Sequence, residues 1–205
     1  MKKILAGSLA LAVVLGVGCF GGKPDRVIGP PYNPSAAADK AIAEFDKNSD
    51  GKIAGDELDA CPSLKNSLSS IDTNGDGGLD KAEISARIQA YIDAEVGLCT
   101  PNINLVVKKG KSSVPLKSGN VTLIPEAFMA DVLKEAKGTI QDGYCSPSSE
   151  GNMENLPGMS YGFYKIQIEN ADPKIGSAPL GIEISELNPI VKETGGTYKV
   201  EIPNK

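Results

Sequence analysis

The sequence of 205 residues contains no histidine and no tryptophan. The absence of histidine excludes Ser-His-Asp and Cys-His catalysis, acid–base chemistry by imidazole, and every zinc or iron site that needs a histidine ligand. Aromatic residues are scarce, at 5% of the chain, whereas glycine and proline number 23 and 14. This composition predicts a globular protein with turns and β-structure in preference to a helical bundle.

Positive charge is in deficit, because 21 basic residues stand against 26 acidic ones and give a net charge of −5. The deficit is local, since residues 39–95 contain 13 acidic and 6 basic residues, a balance of −7. No stretch of the chain forms a basic stripe, so we expect no nucleic-acid partner. The concentration of acid in one segment indicates a cation-binding site there.

The N-terminus has the pattern of an export signal. Lys2 and Lys3 precede an apolar run over 4–17, which is too short to cross a bilayer of about 30 Å as a permanent helix. Cys19 ends a Val-Gly-Cys sequence that resembles the end of a bacterial lipobox, although Gly16 stands where leucine is usual. The resemblance implies that Cys19 carries a lipid.

We therefore predict a signal peptide over 1–18 and a Gly- and Pro-rich tether over 19–35 that begins at the lipidated Cys19. The predicted location is the bacterial envelope, where the protein is exported and held at a membrane as a lipoprotein. Ordinary signal cleavage, which gives a soluble periplasmic or secreted protein, is the alternative.

Two twelve-residue stretches, 46–57 and 72–83, match the calcium-loop pattern D-x-[DN]-x-[DN]-G-x5-E. Ca²⁺ takes about six to eight oxygen ligands, and the pattern offers side-chain oxygens at positions 1, 3, 5 and 12 and a backbone carbonyl at position 7. Apolar residues at position 8, Ile53 and Leu79, suit a short β pairing between the loops. The predicted ligands of two Ca²⁺ ions are Asp46, Asn48, Asp50, Lys52, Glu57, Asp72, Asn74, Asp76, Gly78 and Glu83.

These motifs, with apolar residues at helical spacing on both sides, resemble an EF-hand pair, and the resemblance implies four short helices over 36–98. The loops differ in charge. The second has Asp80 at position 9 and no lysine before position 10, whereas the first contains Lys47 and Lys52. We therefore predict that the second loop binds Ca²⁺ more tightly.

Residues 102–205 have a different texture, because strand-like segments alternate with Gly-containing turns. The segments are 103–109, 121–124, 161–169 and 198–202. The order of VTLIPE at 121–126, LPG at 156–158 and GFYKIQI at 162–168 resembles the carboxypeptidase-regulatory-like, transthyretin-like β modules of bacterial envelope proteins. The pattern departs at 142–149, where a Cys-Ser-Pro run replaces a short strand. The resemblance implies a noncatalytic module.

The predicted fold class is accordingly α+β with two domains. An EF-hand pair of four short helices occupies 36–98, and a small antiparallel β-sandwich of the transthyretin-like or Ig-like kind occupies 99–205.

Three cysteines follow Cys19, so at most one disulfide can form within the chain. Cys61 lies between the calcium loops and Cys99 lies just after the last predicted helix, and we favour a bridge between these two. A bridge between Cys99 and Cys145 and three free thiols are the alternatives.

Together these features predict a noncatalytic, calcium-binding envelope protein whose β domain contacts an envelope protein or a polysaccharide. A metal-dependent envelope enzyme and a calcium-responsive sensor are the alternatives. The enzyme requires an open metal position beside a base or a nucleophile, and no such motif stands out. The sensor is disfavoured because calcium is plentiful outside the cytoplasm.

Overall fold

The computed structural model describes residues 27–151 and 156–203. The predicted signal peptide, the lipidation site Cys19 and the first part of the predicted tether lie outside the described residues. From Val27 the chain runs without regular secondary structure and packs on the body, where the Tyr32 hydroxyl donates a hydrogen bond of 2.7 Å to the Tyr161 carbonyl. Every helix within the described ranges is too short or too polar to cross a bilayer.

The first part of the described chain is mainly helical. Asn33 caps the first helix, and Pro62 begins the third, where a missing N–H costs nothing. The two short strands pair antiparallel with Ile53 opposite Leu79, as the sequence predicts. The elements are α1 (Pro34–Phe45), β1 (Lys52–Ala54), α2 (Asp56–Asp59), α3 (Pro62–Ile71), β2 (Gly78–Asp80) and α4 (Lys81–Asp93).

The second part forms one curled sheet, of nine strands among the described residues. These are β3 (Asn102–Lys109), β4 (Ser112–Pro115), β5 (Ser118–Pro125), β6 (Ala136–Gln141), β7 (Tyr144–Cys145), β8 (Ser148–Ser149), β9 (Gly162–Asp172), β10 (Gly181–Ile184) and β11 (Thr197–Pro203). A 3₁₀ turn (Ala127–Met129) follows β5, and helix α5 (Pro189–Thr194) precedes β11.

The strand order is β10-β9-β5-β6-β7-β3-β11, with β4 on β3 and β8 on β6. Strand β11 runs parallel to β3, whereas the other pairs are antiparallel.

The predicted fold class is wrong. The chain is mostly β, with eleven strands, five α-helices and about 28% helix in the described part, in place of a separate four-helix EF-hand pair followed by a sandwich. The C-terminal half contains one curled sheet, whereas a sandwich needs two, and its last strand pairs parallel to its first. Alternation of apolar residues identifies strands but does not choose their partners, and this is the physical reason for the error.

The helices pack against the sheet through one continuous cluster of buried residues that extends from α1 to β11. Phe128, after β5, links the two parts, because its ring centroid lies 6.3 Å from that of Phe45 in α1 and 5.9 Å from that of Phe163 in β9. The ring of Tyr91 in α4 lies 6.0 Å from Phe163. Apolar residues of α1 and α4 therefore lie in the same core as those of the sheet, with α1 in contact through Phe128.

This shared core predicts a single unfolding transition. Replacing Phe128, which is 3% exposed, by alanine should lower the free energy of unfolding by about 3–5 kcal/mol, because it leaves a cavity between helices and sheet. Far- and near-ultraviolet circular dichroism during thermal unfolding should shift together. Tyr144→Ala, at a site 50% exposed, is the control and should change stability by less than about 0.5 kcal/mol. Two separate transitions would contradict the shared core.

Candidate metal centre

The two predicted calcium loops fold alike, position by position. The glycine at position 6 has a φ of 88° at Gly51 and 83° at Gly77, in the left-handed region that a side chain disfavours. Position 4 is also left-handed in both loops, with a φ of 62° at Ser49 and 74° at Gly75. These paired turns bend each backbone around its own first aspartate.

In each loop the backbone N–H groups of the turns donate to the side chains of the predicted ligands. The carboxylate of Asp46 accepts from the N–H groups of Ser49 at 2.6 Å and Gly51 at 2.9 Å. Asp72 makes the same two contacts, to positions 4 and 6 of its own loop, at 2.7 and 2.9 Å. The side chains at positions 3 and 5 accept from the N–H groups of positions 5 and 7 at 2.8–3.1 Å.

The glutamate at position 12 closes each loop. Glu57 Oε1 accepts from the N–H group of Lys47 at 2.7 Å, and its Oε2 accepts from that of Ala54 at 3.0 Å. Glu83 makes the matching bonds to positions 2 and 9 of its loop, at 2.8 and 3.1 Å. The backbone N–H groups of Ala54 and Lys47 lower the pKa of Glu57, so this carboxylate is negatively charged at neutral pH.

The oxygen atoms of the predicted ligands suit a hard divalent cation. A carboxylate has about four lone-pair sites, so an oxygen that accepts an N–H group can also bind a cation. Oxygen donors suit Ca²⁺, whereas structural Zn²⁺ sites use sulfur and nitrogen. Among the described residues no group of three or more Asp, Glu, Cys or His side chains is arranged to hold a metal ion by itself. The asparagines at position 3 and the backbone carbonyls at position 7 would have to complete each ligand set.

One side chain crosses from the first loop to the second. Lys52 contributes a predicted carbonyl ligand to loop 46–57, but its ammonium group forms an ion pair with Asp76, a predicted ligand of loop 72–83. The β1–β2 pairing brings them together, because Lys52 lies opposite Asp80. The Lys52 ammonium lowers the pKa of Asp76. The prediction that the second loop binds Ca²⁺ more tightly counted the charge of Lys52 against the first loop. That prediction remains, but the ion pair weakens the argument for it, because the Lys52 ammonium lies beside a ligand of the second loop.

The helix that leaves the second loop carries a buried charge. Glu83, Arg87 and Tyr91 follow at four-residue spacing and lie along one face of α4. Arg87 forms a bidentate ion pair with Glu183 of β10, with Nε–Oε1 at 2.7 Å and Nη2–Oε2 at 2.9 Å. The Arg87 side chain is 9% exposed and that of Glu183 is fully buried. The helix with a predicted calcium ligand is thus joined to the sheet by a desolvated ion pair.

Further hydrogen bonds complete this pair. The Tyr91 and Ser185 hydroxyls each donate to Glu183 Oε1 at 2.7 Å. Arg87 Nη2 also donates to Ser70 Oγ at 2.8 Å and to the Leu187 carbonyl at 3.0 Å. Burial, and then the charge of Glu183, raise the pKa of Tyr91 well above its usual value. The tyrosine therefore stays protonated and donates.

A second buried carboxylate lies where α3 meets the sheet. Glu126 is fully buried, and its Oε1 accepts from Ser63 Oγ at 2.8 Å. Its Oε2 lies 3.5 Å from the ammonium group of Lys165. Burial raises the pKa of Glu126, against the opposing effects of Ser63 and Lys165.

Sequence reasoning missed both buried carboxylates, because an isolated charge in a helix or a strand usually faces solvent. The one available signal was Glu183 in the apolar run GIEI of β10.

The described cysteines are free thiols, so the bridge favoured between Cys61 and Cys99 is not formed in the structure. Cys61 Sγ lies 3.4 Å from Ser63 Oγ, and Cys99 Sγ donates to the Met159 carbonyl at 3.2 Å. Burial raises the pKa of Cys61, Cys99 and Cys145 to about 12 in each case. At neutral pH all three are protonated and poorly nucleophilic.

Lys52→Met should tighten Ca²⁺ binding by the second loop by roughly threefold to tenfold, because it removes a positive charge from beside Asp76. Isothermal titration calorimetry with Ca²⁺ measures the effect. Lys47→Met is the matched control, since the Lys47 ammonium instead contacts the Glu44 carbonyl. An equal effect of both substitutions on the second loop would show that only net charge matters.

Arg87→Met should lower the free energy of unfolding by about 3–5 kcal/mol, because it leaves the Glu183 carboxylate buried without its charge partner. Adding Glu183→Leu should recover most of this loss, since no buried charge then remains. Urea denaturation measures both. Lys199→Met breaks the exposed pair with Glu201 and should cost less than about 1 kcal/mol. A double variant no more stable than the single one would contradict the role given to desolvation.

Neither a family model, nor a curated protein, nor a solved structure matches this chain. The interpretation of the loops therefore depends on their own residues: two stretches of the same chain with the same ligand types and the same hydrogen bonds.

Proposed function

We propose that the protein is an exported, noncatalytic, calcium-binding protein of the bacterial envelope, anchored by a lipid on Cys19. Two EF-hand-type loops, 46–57 and 72–83, bind one Ca²⁺ each, and calcium stabilises the fold. The observation that carries the calcium proposal is the repeated arrangement of oxygen donors in the two loops. The envelope location is supported by the leader pattern that ends at Cys19.

Before Ca²⁺ binds, the fold of each loop holds several negatively charged carboxylates close together. Each loop gathers three predicted carboxylate ligands, and the backbone N–H groups at positions 2, 4, 6, 7 and 9 fix their orientation. Bound Ca²⁺ supplies two positive charges that relieve the repulsion among them. Because α4 begins directly after β2, the gain in the second loop extends to the helix that packs on the sheet.

A structural role is supported over a sensory one by the burial of the helices. A sensor of the helix-opening type exposes an apolar groove when the metal binds. Here apolar residues of α1 and α4 already lie in the core that they share with the sheet, and α4 is also held by the Arg87–Glu183 pair. Opening would have to break that core and separate a desolvated ion pair.

The noncatalytic part of the proposal is supported by the sequence and by the thiols. No histidine is available as a base or a nucleophile. The three described cysteines are protonated at neutral pH, because burial raises the pKa of each to about 12. The proposed partner is an envelope protein or a polysaccharide, because the leader pattern that ends at Cys19 indicates an envelope location.

Calcium titration of the mature protein should show two sites with Kd values of about 10⁻⁵ to 10⁻³ M. Glu57→Gln and Glu83→Gln should each remove one site, and Glu83→Gln should remove the tighter one. A hundredfold excess of Ca²⁺ over Kd should add about 2.7 kcal/mol per site to the free energy of unfolding and move the whole transition. Glu193→Gln, in exposed α5, is the control. Absence of calcium-dependent heat and of any stability shift would refute the proposal.

A further inference from the structure

An apolar patch lies at the C-terminal end of α4. It surrounds a cavity of about 270 Å³ that Glu95 and the buried Tyr91 also line. We define the patch by the remaining apolar residues of the lining: Val27, Ile28, Pro30, Tyr32, Ile92 and Val96. Two of its members are unusually open, with Ile28 80% exposed and Ile92 39% exposed. In the part of the chain that the structure describes, Tyr144 and Leu156 are the other large apolar side chains so exposed.

The N-terminal segment is fixed to the body at this patch. The Tyr32 hydroxyl donates to the Tyr161 carbonyl at 2.7 Å, and the Tyr32 ring lies 6.1 Å from that of Tyr91 in α4. Gly97 packs so closely on Val27 that a β-carbon at this glycine would lie 2.1 Å from the Val27 carbonyl oxygen. The chain toward the N-terminus therefore departs from the patch itself.

The length of chain beyond the patch sets its distance from a lipid anchor. Cys19 precedes Val27 by eight residues, and an extended chain spans at most about 3.6 Å per residue. A lipid on Cys19 would hold the patch within about 30 Å of the bilayer surface at a high effective concentration. The stretch from 19 to 26 contains Lys23, Asp25 and Arg26 and has a net charge of +1, so attraction to anionic lipids adds little.

We propose that the patch is a membrane-contact surface, with Ile28 and Ile92 seated in the interface of the bilayer that holds the lipid. Moving exposed apolar side chains from water into the bilayer interface is favourable, because it removes apolar surface from water. Helix α4 has 13 residues and is thus about 20 Å long, with the second calcium loop at its other end. The contact would therefore turn the calcium loops away from the membrane. This inference depends on the proposed lipidation of Cys19.

The test uses the mature lipidated protein, which begins at Cys19, in vesicles of phosphatidylethanolamine and phosphatidylglycerol. An environment-sensitive fluorophore is attached to Ile28→Cys in a Cys99→Ser background, since buried Cys61 and Cys145 are protected in the folded protein. Lys111→Cys is the control position. Lys111 is exposed in the turn that follows β3. Strand β3 has eight residues and is thus about 26 Å long, and Lys111 lies at the end of it that is farther from Cys99. Intact mass of the same sample establishes whether the lipid is present.

We expect blue-shifted emission and at least twofold quenching by brominated lipid at position 28, with neither at position 111. Ile92→Ser should reduce the quenching at position 28. Equal access of aqueous iodide to both positions in lipidated protein would overturn the membrane contact alone. A blue shift without lipid quenching would do the same, because a protein segment such as that containing Phe20 then covers the patch. A mass without lipid would refute the proposed anchor and the contact with it.

Discussion

The position of α4 relative to the sheet is constrained by the buried ion pair between Arg87 and Glu183. Two charges taken out of water are tolerated only when they are paired closely and their remaining polar atoms are satisfied. The bidentate geometry, with donors from Tyr91 and Ser185, meets this condition at the junction of α4 and β10. Because the pair forms in one relative position of helix and strand, it restricts how α4 can lie on the sheet more than apolar contacts alone would.

That restriction reaches the two predicted calcium loops through the chain itself. Glu83 lies one turn before Arg87 on the same face of α4, so the last predicted ligand of the second loop is fixed by the contact that fixes the helix. The first loop joins the second through the β1–β2 pairing and through the Lys52–Asp76 ion pair. Ca²⁺ bound to the folded state at either loop would therefore stabilise the helices and the sheet together, because they share one core.

Local features could be predicted from the sequence, whereas the assembly could not. The loop pattern predicted the sharp bend of the backbone at the glycine in position 6 and the pairing of Ile53 with Leu79. The strand-like segments at 103–109, 121–124, 161–169 and 198–202 fall within or overlap β3, β5, β9 and β11. Apart from the pairing of Ile53 with Leu79, which follows from the repeat of the loop motif, these features depend on neighbours along the chain.

Pairing partners depend on distant residues, and there sequence reasoning failed. Strand β11 joins β3 in parallel, a choice that the alternation of apolar residues does not encode. The burial of Arg87 could not be predicted either, and that of Glu183 was indicated only by its apolar neighbours in β10, since each charge is tolerated there only when the other is present. Tyr91 shows how far such a contact extends: its hydroxyl completes the Glu183 site, and its ring packs on Tyr32, which holds the N-terminal segment to the body. One helix face therefore connects a predicted metal ligand, a buried charge and the first described segment of the chain.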